Sequence, residues 1–412
     1  MVYKIIQFLK LILLLDFSIL LALAPYSKML VKIVLCVALF LGTLLVIAGF
    51  LENYQGKKEK NLLKVFFADP LPQNSFGKAI LFFLFVSLCS VIISTNFLHS
   101  QRIFFERYIP YLLFFMFGYF LAKSKRNAAI IVIVFMAGVS VLGLGAIMDH
   151  LRAPAERILS SFGRQVNLSN FLVLAAPLSC VIFLFAKNRV LRFSGFITAL
   201  LTFPSLIWNG SRAAWLVVPI AILLSCFLKN KKISLVILAV LFIGAYFLAP
   251  VYKKRAMTTF DVSSWSRTEL YGTAVRIFKA YPFFGAGLGV YEKLMYDERF
   301  KPVDGYSPGP KHLHAHSTYL ELLSEMGVIG FAAFLWIFFL FFRKIFLNKS
   351  LWKNEQNDTT AIIVGLNSSI MALLIFAFAS TIIIVGVEDS AVFWFLFGVA
   401  ASFQSFPESA QS

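Results

Sequence analysis

The stretch Asn127-Ala-Ala-Ile-Ile-Val-Ile-Val-Phe-Met-Ala-Gly-Val-Ser-Val-Leu-Gly-Leu-Gly-Ala-Ile-Met148 carries no charged side chain. Lys123, Lys125 and Arg126 precede it, and Asp149, His150 and Arg152 follow it. About 20 mostly apolar residues cross a bilayer as a helix, so this run reads as a span. The same reading extends along the chain. Apolar runs fall at 5–24, 29–51, 79–95, 108–122, 127–148, 168–186, 193–209, 213–228, 233–250, 326–342, 361–386 and 391–406, each bounded by charge or by Pro and Gly. Composition agrees. Of 412 residues, 59% are hydrophobic and 14% charged, with a mean hydropathy of +0.82. Soluble domains run near half apolar and a quarter charged. A soluble enzyme and a disordered chain are both excluded. The expected fold is all-α, a polytopic membrane helix bundle of twelve candidate spans. Spans one to nine occupy 1–250, a long outer loop carrying short helices occupies 251–325, and spans ten to twelve occupy 326–412.

The net charge of +18 would point to nucleic acid in a soluble protein. In a membrane protein, basic residues first set orientation. With the N-terminus inside, the inner loops hold 20 Lys and Arg and the short outer loops hold 8. The positive-inside rule therefore makes both termini cytoplasmic, and no nucleic-acid partner is called for. Sixteen of the inner bases are lysines, whereas six of the eight outer ones are arginines. Arg102, Arg107, Arg152, Arg157 and Arg164 either anchor helix ends at headgroups or use arginine's planar fork on an anionic ligand. Arg212, in the tight outer turn Trp208-Asn-Gly-Ser-Arg212-Ala-Ala-Trp215, reads as topology or as a fixed cation facing a lipid-linked phosphate.

Cys36, Cys89, Cys180 and Cys226 all lie in apolar runs and read as small buried hydrophobes. No small-residue cleavage site follows the first run, which reads as a retained span. By these boundaries Asp16 is the only acid well inside a span. Ion-coupled transporters carry several intramembrane ionisable groups. That scarcity, with no evident internal repeat, weakens a transporter or flippase reading.

Polar chemistry concentrates in the long loop. Leu270, Ala274, Ile277 and Phe278 are spaced for a helix lying against the membrane surface. Ser266 with Glu269 would cap its start, and Tyr281-Pro282 would end it. The run Phe283-Phe-Gly-Ala-Gly-Leu-Gly289 reads as a turn packed at the membrane surface, or as backbone amides lining a polar ligand. It lacks the dinucleotide-binding pattern and context. The densest feature is His312-Leu-His314-Ala-His316-Ser317-Thr-Tyr-Leu-Glu321-Leu-Leu-Ser-Glu325-Met-Gly327-Val-Ile-Gly330. No nearby acid completes a recognisable metalloprotease pattern, so no metal is expected. With a reference pKa near 6.5, a histidine here can take a proton near neutral pH.

His316-Ser317, nine residues, Gly327, two residues and Gly330 resemble the signature of the O-antigen ligases. The Ser-Arg212 turn and Ser266-Arg267-Thr-Glu-Leu-Tyr resemble that family's two recurring arginine positions. Tyr281-Pro-Phe-Phe-Gly-Ala-Gly-Leu-Gly289 is similar to the Pro-x-x-Gly-x-Gly run of the wider ligase and polymerase superfamily. The resemblance covers about 200–330. It implies a membrane glycosyltransferase of the C class in the bacterial inner membrane, with its active site on the periplasmic side. Such an enzyme moves a completed O-antigen from undecaprenyl diphosphate to a lipid A-core sugar, with inversion and without metal or cofactor. The resemblance implies that His316 is the general base and that Arg212 and Arg267 meet the diphosphate. Arg152, Arg157 and Arg164 are possible helpers. Ser317 or Glu321 would orient His316, and His314 would bind the acceptor or support the base. An O-antigen polymerase or a protein oligosaccharyltransferase would share the carrier lipid and the outer site.

Overall fold

The computed structural model describes residues 9, 12–17, 33–34, 36–37, 41, 72, 75–154, 158–165, 167–243, 262–301, 314–353, 357–385 and 387–403. Most of the first two expected spans lies outside this set, as do Arg157, His312 and the side chains of Arg164 and Ser266. The described residues are overwhelmingly helical. The only strands among them are the short antiparallel pair β1 (Ser160–Ser161) and β2 (Arg164–Gln165).

In chain order the helices are α1 Ser75–Ile92, α2 Phe97–Ile103, a π-helical turn Phe104–Tyr108 and α3 Ile109–Leu121. Next come α4 Lys125–Arg152, α5 Leu168–Phe185, α6 Arg189–Asn209 and α7 Arg212–Lys229. The loop region holds α8 Val262–Ala280 and α9 Tyr291–Leu294. The chain closes with α10 Thr318–Leu347, α11 Asp358–Phe376 and α12 Val387–Ser402. Residues 231–243 are also helical and overlap the expected ninth span, 233–250. Seven of these helices, α1, α4, α5, α6, α7, α10 and α11, are long and apolar enough to cross a membrane. An all-α polytopic bundle is therefore what the chain builds. Its outward surface is apolar: Phe85, Phe105, Leu200, Leu216, Phe339 and Phe242 are all exposed. Such a surface suits lipid rather than water.

The expected fourth span, 108–122, matches α3, and helix also precedes it. The chain is continuously helical from Phe97 to Leu121 through the π-turn. Arg102 and Arg107 therefore stand on a helix and not in a loop. Arg102 pairs with Glu106 one turn on, Nε to Oε1 at 2.8 Å, an arrangement a helix surface favours.

Between helices, packing uses small residues and buried hydroxyls, as membrane bundles do. α3 and α12 meet at Gly118 and Gly398. A Cβ on Gly118 would stand 2.1 Å from the Phe395 carbonyl oxygen, and one on Gly398 would stand 2.1 Å from that of Phe115. Ser368 donates to the Ala221 carbonyl at 3.1 Å, tying α11 to α7. Ser205 donates to the Gly143 carbonyl at 3.0 Å, tying α6 to α4. Buried Asp389 on α12 accepts from Asn167 and Asn170 beside α5, at 2.8 and 2.6 Å.

Successive helices run in opposite directions, so two ends form. One end collects the lysine-rich connections: Lys229 Nζ donates to the Lys353 carbonyl there at 3.0 Å. The other end collects residues 93–96, the hairpin, the Gly210 turn, residues 262–301, residues 314–327 and residues 377–385.

Candidate functional site

The site grows from a break in α10. Gly327 has φ 65° and ψ −169°, outside helical space. A broken helix leaves backbone groups without their i to i−4 partners. The segment after Tyr281 supplies those partners. Ala286 N–H donates to the Ser324 carbonyl at 2.9 Å and Gly287 N–H to that of Glu325 at 3.0 Å. In return, Val328 N–H donates to the Pro282 carbonyl at 2.8 Å and Ile329 N–H to that of Phe283 at 3.2 Å. This explains the glycine run. At Gly285, with φ +74°, a Cβ would lie 2.1 Å from the Glu325 carbonyl carbon. At Gly287, with φ +118°, it would lie 1.9 Å from Ser94 Oγ. The run does form turns, but the reading of its amides as ligand-lining does not hold at Ala286 and Gly287. The glycines let backbone lie against backbone, and the amides of Ala286 and Gly287 serve α10 rather than a ligand.

The far side of this run is fastened to α2. Thr95 N–H donates to the Ala286 carbonyl at 2.9 Å, Ser100 Oγ to that of Leu288 at 2.8 Å, and His99 Nε2 to that of Gly289 at 2.9 Å. α8 closes the arrangement with Leu270, Ala274 and Ile277. These pack on Ala286, Val290, Tyr291, Met295 and Ala315, and Tyr291 Oη donates to the Leu270 carbonyl at 2.8 Å. The helical face was read correctly, but it packs on this loop core instead of on a membrane surface. The expected Ser266 cap is also overturned. The helix begins at Val262, which leaves Ser266 inside it, while the stop at Tyr281-Pro282 holds.

The two carboxylates of the first half of α10, Glu321 and Glu325, stand one turn apart on one face. Their residues are only 1% and 5% exposed. Glu321 Oε1 accepts from His314 Nδ1 at 2.8 Å, and its Oε2 accepts from the Ala315 amide at 3.0 Å. Nδ1–H is thus committed to the carboxylate, which leaves Nε2 as the basic nitrogen of the neutral ring. Burial alone would lower the His314 pKa, but the Glu321 charge and this hydrogen bond outweigh it and hold the imidazole above its usual 6.5. Glu325 Oε1 takes the Tyr291 amide at 3.3 Å.

His316 has φ +51°, a left-handed conformation that is uncommon outside glycine. It is partly exposed, and Ser317 after it is buried and stands at the N-cap of α10. The N-cap side chain makes no capping bond. The Thr318 amide donates to the carbonyls of Ala377 and Ser380, both at 2.9 Å. This pins the start of α10 to the end of α11. Glu321 was expected to orient His316. It pairs with His314 instead, because the turn at His316 turns the 314–315 backbone back over the first turn of α10.

Arg212 opens α7 and is exposed. Ser368 meets Ala221, and Arg212 and Ala377 lie nine residues from that contact in antiparallel helices. At 1.5 Å per residue, both sit about 13–14 Å toward the same end. The Ala377 carbonyl holds Thr318, so Arg212 and the start of α10 share one end and one depth. Arg267 is exposed, one turn before buried Leu270 on α8. Arg152 ends α4 and lines an open cleft of about 430 Å³ with Asp149, Ser160 and Gly163. The hairpin beside it joins the last turn of α6. The Ile158 amide donates to the Trp208 carbonyl at 3.0 Å and Asn209 Nδ2 donates to that of Ile158 at 2.8 Å. Arg152 and the Arg212 turn therefore flank the same hairpin.

Glu325 was given no role by sequence reading, and Arg107 was read as one of the outer arginines that anchor helix ends or meet an anionic ligand. The Glu-x-x-x-Glu spacing on one helix face was the available signal for the first. Arg107 was read as sitting outside its span. It stands partly buried in the π-turn.

The chain is thus a polytopic helical membrane protein. One end of its bundle gathers histidines, buried carboxylates and arginines around a broken helix. A family model described as O-antigen ligase matches residues 197–335. The matched stretch runs from α6 into α10 and contains Arg212, Arg267, the glycine run and His314 to Gly330. The resemblance carried by the histidine signature is borne out over these residues, which are similar to the O-antigen ligase family. No curated protein matches the chain.

Proposed function

We propose that this protein is an O-antigen ligase. In this reading it transfers a completed glycan from undecaprenyl diphosphate to a sugar of lipid A-core, at the periplasmic face of the inner membrane. The observation that carries the reading is the family match over the segment that holds both arginine positions and the histidine signature. The gathering of that segment at one end of the bundle supports it further.

The acceptor hydroxyl attacks the anomeric carbon of the first glycan sugar. The bond from that carbon to the diphosphate oxygen breaks, with inversion, and the diphosphate leaves with its electron pair. His316 takes the hydroxyl proton. A positioned general base contributes about 10²–10⁴-fold. Negative charge grows on the diphosphate as it leaves, and Arg212 and Arg267 meet it from fixed helix positions. Arg152, Arg157 and Arg164 are assigned as helpers at the diphosphate. Glu321 fixes His314, whose Nε2 is left to hydrogen-bond the acceptor sugar.

The experiment uses purified full-length protein, undecaprenyl-diphosphate-linked glycan and lipid A-core. Joined product from the native chain, and its loss in His316→Ala, Arg212→Ala and Arg267→Ala, is the expected result. Longer carrier-linked chains without joined product would identify a polymerase instead. A joined product that requires added metal would overturn the metal-free mechanism.

A further inference from the structure

The hairpin beyond α4 carries an ill-suited residue in its turn. Its strands pair Ser161 with Arg164, so Phe162-Gly163 is a two-residue loop. Both loop residues have positive φ, 54° and 73°. Such a loop favours Asn-Gly, because left-handed backbone is costly for a bulky side chain. Phe162 forgoes that fit and sets an aromatic ring there. The neighbouring helix yields as well. Leu142, Gly145 and Asp149 share one face of α4. Ser161 Oγ donates to the Leu142 carbonyl at 2.8 Å, and Asp149 Oδ2 accepts from Ser160 Oγ and the Gly163 amide. Between these ties, a Cβ on Gly145 would stand 2.5 Å from Phe162 Cδ2. Glycine weakens a helix interior, and here it makes the seat for the ring. Two locally unfavourable residues on different elements thus fix one side chain. Backbone outliers held in this way cluster at functional sites.

Phe162 is 42% exposed and lines the open cleft of about 430 Å³ with Asp149, Arg152, Leu159 and Ser160. That volume falls in the range of small-molecule sites, about 300–1,000 Å³. Asp149 Oδ2 is spent on the hairpin, whereas its Oδ1 takes no hydrogen bond among the described residues. Arg152 is exposed and makes no ion pair among them. The cleft therefore offers an aromatic ring, a carboxylate oxygen and a guanidinium together. A pyranose ring suits all three. Its C–H face covers an aromatic ring, and its hydroxyls donate to a carboxylate and accept from a guanidinium. A hydrocarbon chain would leave both charged groups unused, and a bare phosphate would meet the negative charge of Asp149.

We propose that this cleft is a carbohydrate subsite, with Phe162 as the stacking platform and Asp149 and Arg152 as partners for the hydroxyls of a pyranose. The proposal rests on the transfer reading above, in which both substrates carry sugars, and it adds a sugar to what Arg152 meets. Ile158 places the cleft beside the Arg212 turn, through its bonds to Trp208 and Asn209. All the residues of the subsite lie outside the segment matched to the family, 197–335.

The test is binding of released glycans to the purified full chain, titrated by saturation-transfer difference NMR. The probes are dephosphorylated core oligosaccharide and the O-glycan freed from its carrier. The native chain should bind one of them, and which one it binds names the substrate that the cleft serves. Phe162→Asn suits the turn and should keep the hairpin, seen as native amide exchange over 158–163. It should nevertheless weaken binding by about 3- to 10-fold, the size of a lost aromatic contact. Phe162→Tyr keeps the ring and should bind within about twofold of the native chain. Arg152→Gln covers the case in which Phe162→Asn loosens the hairpin. With no phosphate on either probe, its expected loss of about threefold or more reports on the sugar alone. Native affinity in Phe162→Asn with an intact hairpin, or in Arg152→Gln, overturns the subsite, as does a native chain that binds neither glycan. The transfer reading is judged separately, by joined product from the native chain. Joined product with a native KM for both substrates in Phe162→Asn overturns the subsite and leaves that reading standing. Absence of joined product from the native chain overturns the reading, while the released glycans still decide the subsite.

Discussion

Alanine at Gly285 would place a Cβ 2.1 Å from the Glu325 carbonyl carbon and 2.3 Å from the Met326 amide nitrogen. Both are backbone atoms, so no side chain can swing away. The φ of +74° adds about 1–2 kcal/mol for an L-residue held in left-handed space. Relief of the clash requires the 282–289 segment to lift off the break in α10. That abandons the bonds Ala286 N–H to Ser324 and Gly287 N–H to Glu325, at 2.9 and 3.0 Å. Each buried group left unmade costs about 1–3 kcal/mol. The total for Gly285→Ala is about 3–8 kcal/mol, against a usual stability of about 5–15 kcal/mol. Gly163 is the matched control. Its φ is +73°, yet nothing lies within 4 Å of its added Cβ, so Gly163→Ala carries only the backbone cost of about 1–2 kcal/mol. Monodisperse protein remaining after graded heating, read by fluorescence-detected size exclusion, compares the two. Gly285→Ala should fail far below the native chain and Gly163→Ala close to it. Equal losses would refute the claim that the glycine run serves close backbone contact.

Because His314 sits above its usual pKa, the folded state binds its proton more tightly than the unfolded chain does. Its stabilising contribution is fully present below about pH 6.5 and falls away as pH rises through the raised value. Thermal stability of the native chain should therefore decline across that window more than that of His314→Gln, and parallel pH curves would contradict the pairing with Glu321. Asp149 Oδ2 accepts from Ser160 Oγ at 2.7 Å and from the Gly163 amide at 2.8 Å, so Asp149→Ala should speed amide exchange over 158–163. Unchanged exchange there would show that the hairpin is held by its contacts to α6 alone.

The bundle was legible because apolar length is a local property. Runs such as 127–148 and 168–186 became α4 and α5 within a few residues. The fourth span, 108–122, matches α3, but the helix before it was not placed, because charge was taken to end a helix. Arg102, Glu106 and Arg107 are instead carried on it, the first two paired one turn apart. The signature histidine, both arginines and the glycine run were all visible as residues. Their contacts were not, since Gly285 meets Glu325 and Gly287 meets Ser94 only through the packing of distant segments. Glu321 was named but assigned to the wrong histidine, because the left-handed turn at His316 has no marker in the sequence. The start of α8 was placed five residues late, since a plausible Ser266–Glu269 capping pair lies inside the helix.

The most direct measurement is single-turnover transfer by the purified full chain, with undecaprenyl-diphosphate-linked glycan saturating and lipid A-core limiting. A joined glycolipid should form, and His316→Ala should slow it by about 10²–10⁴-fold without loss of carrier-lipid binding. Joined product at the native rate from His316→Ala, or none from the native chain, would contradict the account.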